Sequence, residues 1–258
     1  MKTTGLVCLA IIPLLFACFP KKPEISLPEV PAAPLVQALE QRRQMFAGLK
    51  AVASVETVRS GRKRSYDTVG IVIEGQQRLR IEAYGPLGQS LVTLLWDGAD
   101  VLLRLDDGRV LTPGPAGLER MLGVAMDAGE LCAVLTGNLP ATVSSKEARA
   151  FQEPDGSFVI ELSSGDLRRL WYVLLSDPGP EQGIRITTSE LYRSGKLVYR
   201  ARYEQAEQIS RYLMAKIVRI ENPGKRVSLA VEYNEIDVNA PLGDDAFKLL
   251  DGAEAGSK

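Results

Sequence analysis

Histidine does not occur anywhere in these 258 residues. Its absence removes the commonest general base, the usual metal ligand and every Ser/His/Asp or Cys/His nucleophile arrangement in one step. Cysteine is scarce as well: Cys8, Cys18 and Cys132 are too few and too far apart for a structural zinc site. An excess of positive charge is also missing. With 31 lysines and arginines against 32 aspartates and glutamates, nucleic acid is not indicated as a partner, because phosphate binding needs clustered cations. The basic run from Arg59 to Arg64 reads as solvated loop charge. No phosphate loop is present: Gly224-Lys225 follows Pro223 and lacks the upstream glycine and downstream Ser/Thr. Carboxylate pairs such as Asp106-Asp107 and Asp244-Asp245 adjoin glycines and read as turns. No catalytic, metal or cofactor-binding residue emerges, and an enzyme is not expected.

What the sequence does contain begins with an address. Met1-Lys2 supplies positive charge and residues 5–16 form an apolar run, shorter than the roughly 20 residues a membrane-spanning helix needs. The run ends in Leu15-Phe16-Ala17-Cys18, which resembles the lipobox of bacterial lipoproteins. That resemblance implies that residues 1–17 are a lipoprotein signal peptide and that Cys18 becomes the first residue, carrying a covalent diacylglycerol and an N-acyl chain. At ~0.8 kcal/mol per buried CH₂, two or three chains anchor stably without spanning. Phe19, where an Asp would direct retention, implies the periplasmic face of the outer membrane. Prolines 20, 23, 28, 31 and 34 make 18–34 an extended spacer rising about 3.1 Å per residue. Lone Cys132 is expected to be buried as a small apolar residue.

The folded domain is expected over 35–250, with 251–258 a flexible tail. Leu35, Leu39 and Phe46 follow helical spacing. Period-two alternation then marks strands at 49–59, 65–74 and 79–84, where Leu79, Ile81 and Ala83 share one face. The run 91–96 is apolar on both faces and reads as a central, covered strand. Strands at 101–105 and 109–112 form a hairpin. Leu118, Met121, Leu122 and Ala125 mark one short helix, and Leu131, Val134 and Leu135 a second. Two readings of this pair stay open: a plug packed on the sheet, or a lid that moves as a unit because Gly123 and Gly129 weaken it. From 148 to 233 the chain is a succession of strands separated by Gly, Pro, Asn and Asp turns. An antiparallel meander of this length implies a single strongly curved sheet, whose concave face is covered by helices or filled by a ligand.

Between two of the strands lies Gly85-Pro86-Leu87-Gly88, a tight turn with an unprotected leucine. This motif, with the flanking strands over 79–94, resembles the strand, Pro-Leu-Gly loop and strand of the LolA/LolB family of periplasmic lipoprotein carriers. Residues 119–140 resemble the family's acidic-Met-Leu-Gly helix ending in Leu-x-Gly-x-Pro, and 224–233 its late strand. Within that family the chain is most similar to the LolB branch, outer-membrane receptors that are themselves lipoproteins. The resemblance implies a mainly β fold (α+β), an incomplete antiparallel β-barrel or half-barrel with a helical lid over an apolar cavity. It implies cargo acyl chains, a periplasmic LolA-type carrier and the membrane surface as partners, and no cofactor beyond the lipid on Cys18. Leu87, with Gly85, Pro86 and Gly88, becomes the membrane-insertion loop. Leu79, Ile81, Val92, Leu94, Leu118, Met121 and Leu122 become candidates for lining the cavity. The stretch beyond Tyr233 departs from the pattern, and is an added strand or a loose tail. A tethered regulatory or envelope-assembly lipoprotein with a LolA-like domain is the alternative function.

Overall fold

The computed structural model describes residues 26–141, 143, 147–175 and 183–248, with backbone alone at 115 and 116. The signal peptide, Cys18, most of the spacer and the tail after 250 lie outside the described residues. Fourteen strands form one antiparallel sheet. They are β1 (Glu29–Val30), β2 (Gly48–Arg59), β3 (Arg62–Glu74), β4 (Arg78–Tyr84), β5 (Ser90–Trp96), β6 (Val101–Leu105), β7 (Val110–Leu111), β8 (Ala148–Gln152), β9 (Phe158–Ser164), β10 (Leu167–Leu175), β11 (Ile184–Arg193), β12 (Lys196–Ile209), β13 (Tyr212–Asn222) and β14 (Val227–Val238). Among the described residues there are three α-helices, α1 (Ala32–Gln44), α2 (Gly114–Leu122) and α3 (Ala128–Thr136).

The sheet is two meanders joined edge to edge. β2 to β7 run in order, α2 and α3 cross over, and β8 to β14 run in order until β14 pairs with β2. The outermost strands β1 and β7 do not pair, so the barrel stays open. Alternation decides which face turns inward. In β2, Leu49, Ala51 and Ala53 are buried, and their partners Ile73, Ile71 and Val69 in β3 are buried with them. The same face continues through Leu79 and Ala83 of β4 and Leu94 of β5 into one core. α3 lies within the curve against β4 and β13, and α1 covers β8, β9 and β11.

Three expectations change. The spacer does not reach residue 34: Glu29 and Val30 pair with Phe151 and Ala150 as edge strand β1, and α1 already begins at Ala32. Pro28 and Pro31 flank that two-residue strand, which is where an edge tolerates them. β5 is not central but third from an edge, although Thr93, Leu94 and Leu95 are buried on both its faces. Beyond Tyr233 the chain is neither a new strand nor loose as far as Lys248. β14 continues to Val238, and a 3₁₀ turn at Asp244–Phe247 packs on the outside of β4. There the Arg78 guanidinium sits 4.4 Å from the Phe247 ring centroid, and Arg80 Nη1 donates to the carbonyls of Ala246 and Lys248.

The convex face carries a buried ionic cluster that periodicity reads as plain surface. Glu82 is 5% exposed and receives Arg80 Nη2 at 2.5 Å, with Arg104 at 3.5 Å. Burial opposes ionisation of this carboxyl, but hydrogen bonds from Ser90 and Arg80 outweigh it and hold the pKa below the ordinary 4.5. A carboxylate depressed on folding stabilises the protein above its unfolded pKa and ceases to do so as pH falls through the folded one. The melting temperature should therefore drop as pH is lowered below about 4.5. Glu82→Gln should flatten that acid limb; an unchanged slope in a thermal scan against pH would remove Glu82 as its source.

Candidate functional site

Under the helices, strands β14, β2, β3, β4 and β5 wall a cavity of about 110 Å³. Its floor is built in register: Ile81 stands between Ile71 and Leu94, Ala83 pairs with Val92, and Val55 pairs with Val231. Met121 and Leu122 of α2 and Leu131 and Leu135 of α3 form the roof. Every lining residue is aliphatic or a thioether, so nothing in the walls can hydrogen-bond a ligand or perform acid–base chemistry. Such a surface suits hydrocarbon.

Of the sequence-derived candidates, Ile81, Val92, Leu94, Met121 and Leu122 line this space, whereas Leu79 and Leu118 do not. Leu79 pairs with Ile73 and Trp96, one step toward the end covered by the start of α3, where Trp96 approaches Gly129. It is fully buried core, as is Leu118 on the inward side of α2. Val55, Ile71, Ala83, Leu131, Leu135, Leu229 and Val231 complete the lining. Alternation already put Val55 and Ala83 on the right faces. Leu229 and Val231 alternate along a strand that was legible, but only the β14–β2 pairing brings that strand to the cavity.

The two roof helices are held very differently. α3 is buried along its length. Asp127 caps its start by accepting from Glu130 N at 2.7 Å, and the Glu130 carboxylate pairs with Arg169 and accepts from Tyr199 at 2.8 Å. Burial works against the Arg169 charge, yet Glu130 outweighs it and holds the pKa above the ordinary arginine value. At the other end Tyr233 donates to Leu135 O, and Arg42 donates to Gly137 O at 2.8 Å and Asn138 Oδ1 at 2.5 Å. Cys132 lies inside this helix, fully buried, its thiol pushed up to about 12 by burial. α2, by contrast, is tied at its outer side by Lys225 to Glu119 and by Arg59 to Arg120 O. Its exposed residues include Met121, 39% exposed at the cavity mouth. α3 is therefore anchored at both ends inside the sheet, whereas the polar ties of α2 lie on its outer side.

The loop over the cavity end is built as a rigid projection. Gly85 N donates to Gln89 O at 2.8 Å, and Gly88 N donates to Gly85 O at 2.9 Å. Leu87 N donates to the Gln89 side-chain carbonyl at 3.1 Å. Pro86 fixes φ in this β-turn and Gly88 takes a φ of +78° that a side chain would resist. Leu87 is 93% exposed, the highest exposure among the large apolar residues described. The loop leaves β4 and re-enters β5 immediately beyond the Ala83–Val92 pair, so the leucine stands at the rim of the apolar cavity.

Two larger clefts, of about 320 and 300 Å³, lie at the opposite end around Met45, Arg211 and Tyr212. Gln41, Arg42, Gln208, Ser210 and Asn239 make their walls polar.

No family model matches this chain, and no curated protein matches it. Solved structures do. A DUF1329 family protein from Desulfovibrio piger superimposes with a TM-score of 0.62 at 13% identity, covering 84% of this chain and 97% of that one. A LolA superfamily protein from Nitrosomonas europaea gives 0.54 at 14% identity over 85% and 98%. The chain shares its fold with these two proteins. A third structure, described as an outer membrane lipoprotein-sorting protein domain, from Vibrio parahaemolyticus, gives 0.58 at 13% identity over 84% and 97%. At these identities the likeness concerns the fold, and the expected mainly antiparallel, unclosed sheet with few helices is what the chain has.

Proposed function

We propose that this LolA-like chain is a lipid-anchored receptor of the LolA/LolB family, most like LolB. It takes acylated lipoproteins from a periplasmic LolA-type carrier and places them in the outer membrane, without covalent chemistry. One observation carries the reading: a wholly apolar cavity opens at the rim from which a 93% exposed leucine projects. Lipoprotein sorting in a protein of similar fold supports it. Acylation of Cys18 would keep the rim within reach of the bilayer. At 110 Å³ the cavity falls below the roughly 300 Å³ at which small-molecule sites begin, so an acyl chain enters only when α2 swings away. Enclosed hydrocarbon gains about 25 cal/mol per Å² of area removed from water, enough for capture and small enough to surrender to a membrane.

The test is binding of a fluorescent palmitoyl probe by the full chain and by Ala83→Leu, which places three added carbons in the void. Filling a void tends to preserve stability, so Ala83→Leu should fold normally yet bind the probe at least about tenfold more weakly. No binding by the unaltered chain would favour the second reading, a tethered regulatory lipoprotein. The small volume of the cavity is the observation on that side.

A further inference from the structure

The basic run that the sequence presents as solvated loop charge is not scattered in space. β2 and β3 form a hairpin whose tip reaches past the β4–β5 loop: Thr68 already pairs with Tyr84, the last residue of β4, while the hairpin continues to Arg59 and Arg62. Leu87 and the tip therefore project from neighbouring strands at one end of the sheet. The β13–β14 turn comes to the same tip, where Ser60 N donates to Arg226 O at 3.2 Å. Helix α2 comes there too, with Arg59 Nη1 donating to Arg120 O at 2.9 Å. Exposed Arg59, Arg62, Lys63, Arg64, Lys225 and Arg226 are thus gathered beside the cavity mouth of a chain whose net charge is only −1.

The local carboxylates neutralise only the two lysines among them. Glu56 is taken by Lys63 at 2.6 Å and Glu119 by Lys225 at 2.5 Å. Asp67 remains near the hairpin, and Asp106 and Asp107, the latter paired with Arg109, stand across the rim at the β6–β7 turn. Arg62, Arg64 and Arg226 form no ion pair among the described residues.

We propose that this rim is a docking surface for anionic phospholipid headgroups, the arginines of the β2–β3 hairpin and the β13–β14 turn binding phosphate while Leu87 enters the acyl region. It rests on the reading of Leu87 as a membrane wedge and adds the lipid class and the orientation, cavity mouth toward the bilayer. The argument is the combination. A lone leucine gains too little to hold a protein at a surface, and basic residues within a Debye length of an anionic leaflet each add attraction. Together they resemble an interfacial anchor, apolar group inward and cations at headgroup level. An acidic protein would match the charges but would leave the exposed leucine on its polar turn without a purpose.

The experiment uses the full chain carrying Cys8→Ser, Cys18→Ser and Leu87→Cys, with an environment-sensitive dye on residue 87. Cys132 is buried and stays unlabelled. Vesicles are phosphatidylcholine alone, or with about one-third phosphatidylglycerol. The dye should blue-shift at roughly a hundredfold lower lipid concentration on the anionic vesicles, and the advantage should fade in high salt. Arg62→Glu, Arg64→Glu and Arg226→Glu together should weaken that binding on the order of a hundredfold, about fivefold per arginine, while the three Arg→Lys changes keep it. Equal titrations on neutral and anionic vesicles would overturn the proposal and leave Leu87 as a wedge. No shift on either would remove the wedge as well. A shift with a purified LolA-type carrier but with no vesicle would assign the rim to a protein, which also overturns it.

Discussion

Leu87→Glu is expected to abolish delivery of acylated cargo from carrier to liposomes, lowering the transfer rate by a factor of about ten to a hundred, with probe capture and melting temperature unchanged. The magnitude follows from chemistry at one side chain. Burying a leucine in hydrocarbon contributes roughly 1.5–3 kcal/mol, and a carboxylate both forfeits that and resists entering the bilayer. The folded state has no stake in the exchange. Leu87 is 93% exposed and its backbone is held by Gln89, not by its own side chain; exposed substitutions of this kind stay within about 0.5 kcal/mol. A normal transfer rate in a reconstituted assay would leave the receptor reading without its delivery step.

The second large effect concerns stability. Arg42 in α1 is 7% exposed and has no carboxylate partner among the described residues; it donates instead to Gly137 O, Asn138 Oδ1 and Leu213 O, with its guanidinium 4.3 Å from the Tyr212 ring centroid. Burial pushes its pKa down, yet an arginine stays protonated, and the carbonyl end of α3 supplies the compensating negative potential. Removing the cation takes this donor from the carbonyls of Gly137 and Leu213, while Asn138 Oδ1 keeps the Tyr212 hydroxyl at 2.7 Å. Arg42→Met should cost about 3 kcal/mol and lower the melting temperature by roughly 6–12 °C, whereas Arg43→Ala next to it should shift it by less than about 3 °C. Equal small shifts in a calorimetric comparison would show that α3 does not depend on this contact.

Much of the fold was legible because its signals are local. Alternation at 49–59 and 79–84, Gly and Pro between strands, and helical spacing at 118–125 each speak within a dozen residues. The Pro-Leu-Gly turn was legible for the same reason. What escaped depends on distant partners. Glu82 reads as solvent-facing by period two, and is buried because Arg80 of β4 and Arg104 of β6 close over it. Leu79 looked equivalent to Ile81, but α3 covers only one end of β4. Arg42 sits in a charged run and nothing nearby distinguishes it from Arg43. The basic hairpin was visible as composition, but its position beside Leu87 was not.

The seam between β14 and β2 has a consequence for how the molecule is made. It joins Leu49 to Val238 and Arg59 to Val227, near the two ends of the domain. During synthesis the β2–β7 meander emerges first, with the inner edge of β2 unpaired and the floor of the cavity facing water. Neither is covered until the last strand arrives. Such non-local closure is slow, and an open strand edge beside an apolar surface invites aggregation. Nascent chains should therefore need a holding chaperone until Val238 is available, and truncations before β14 should accumulate as insoluble fragments.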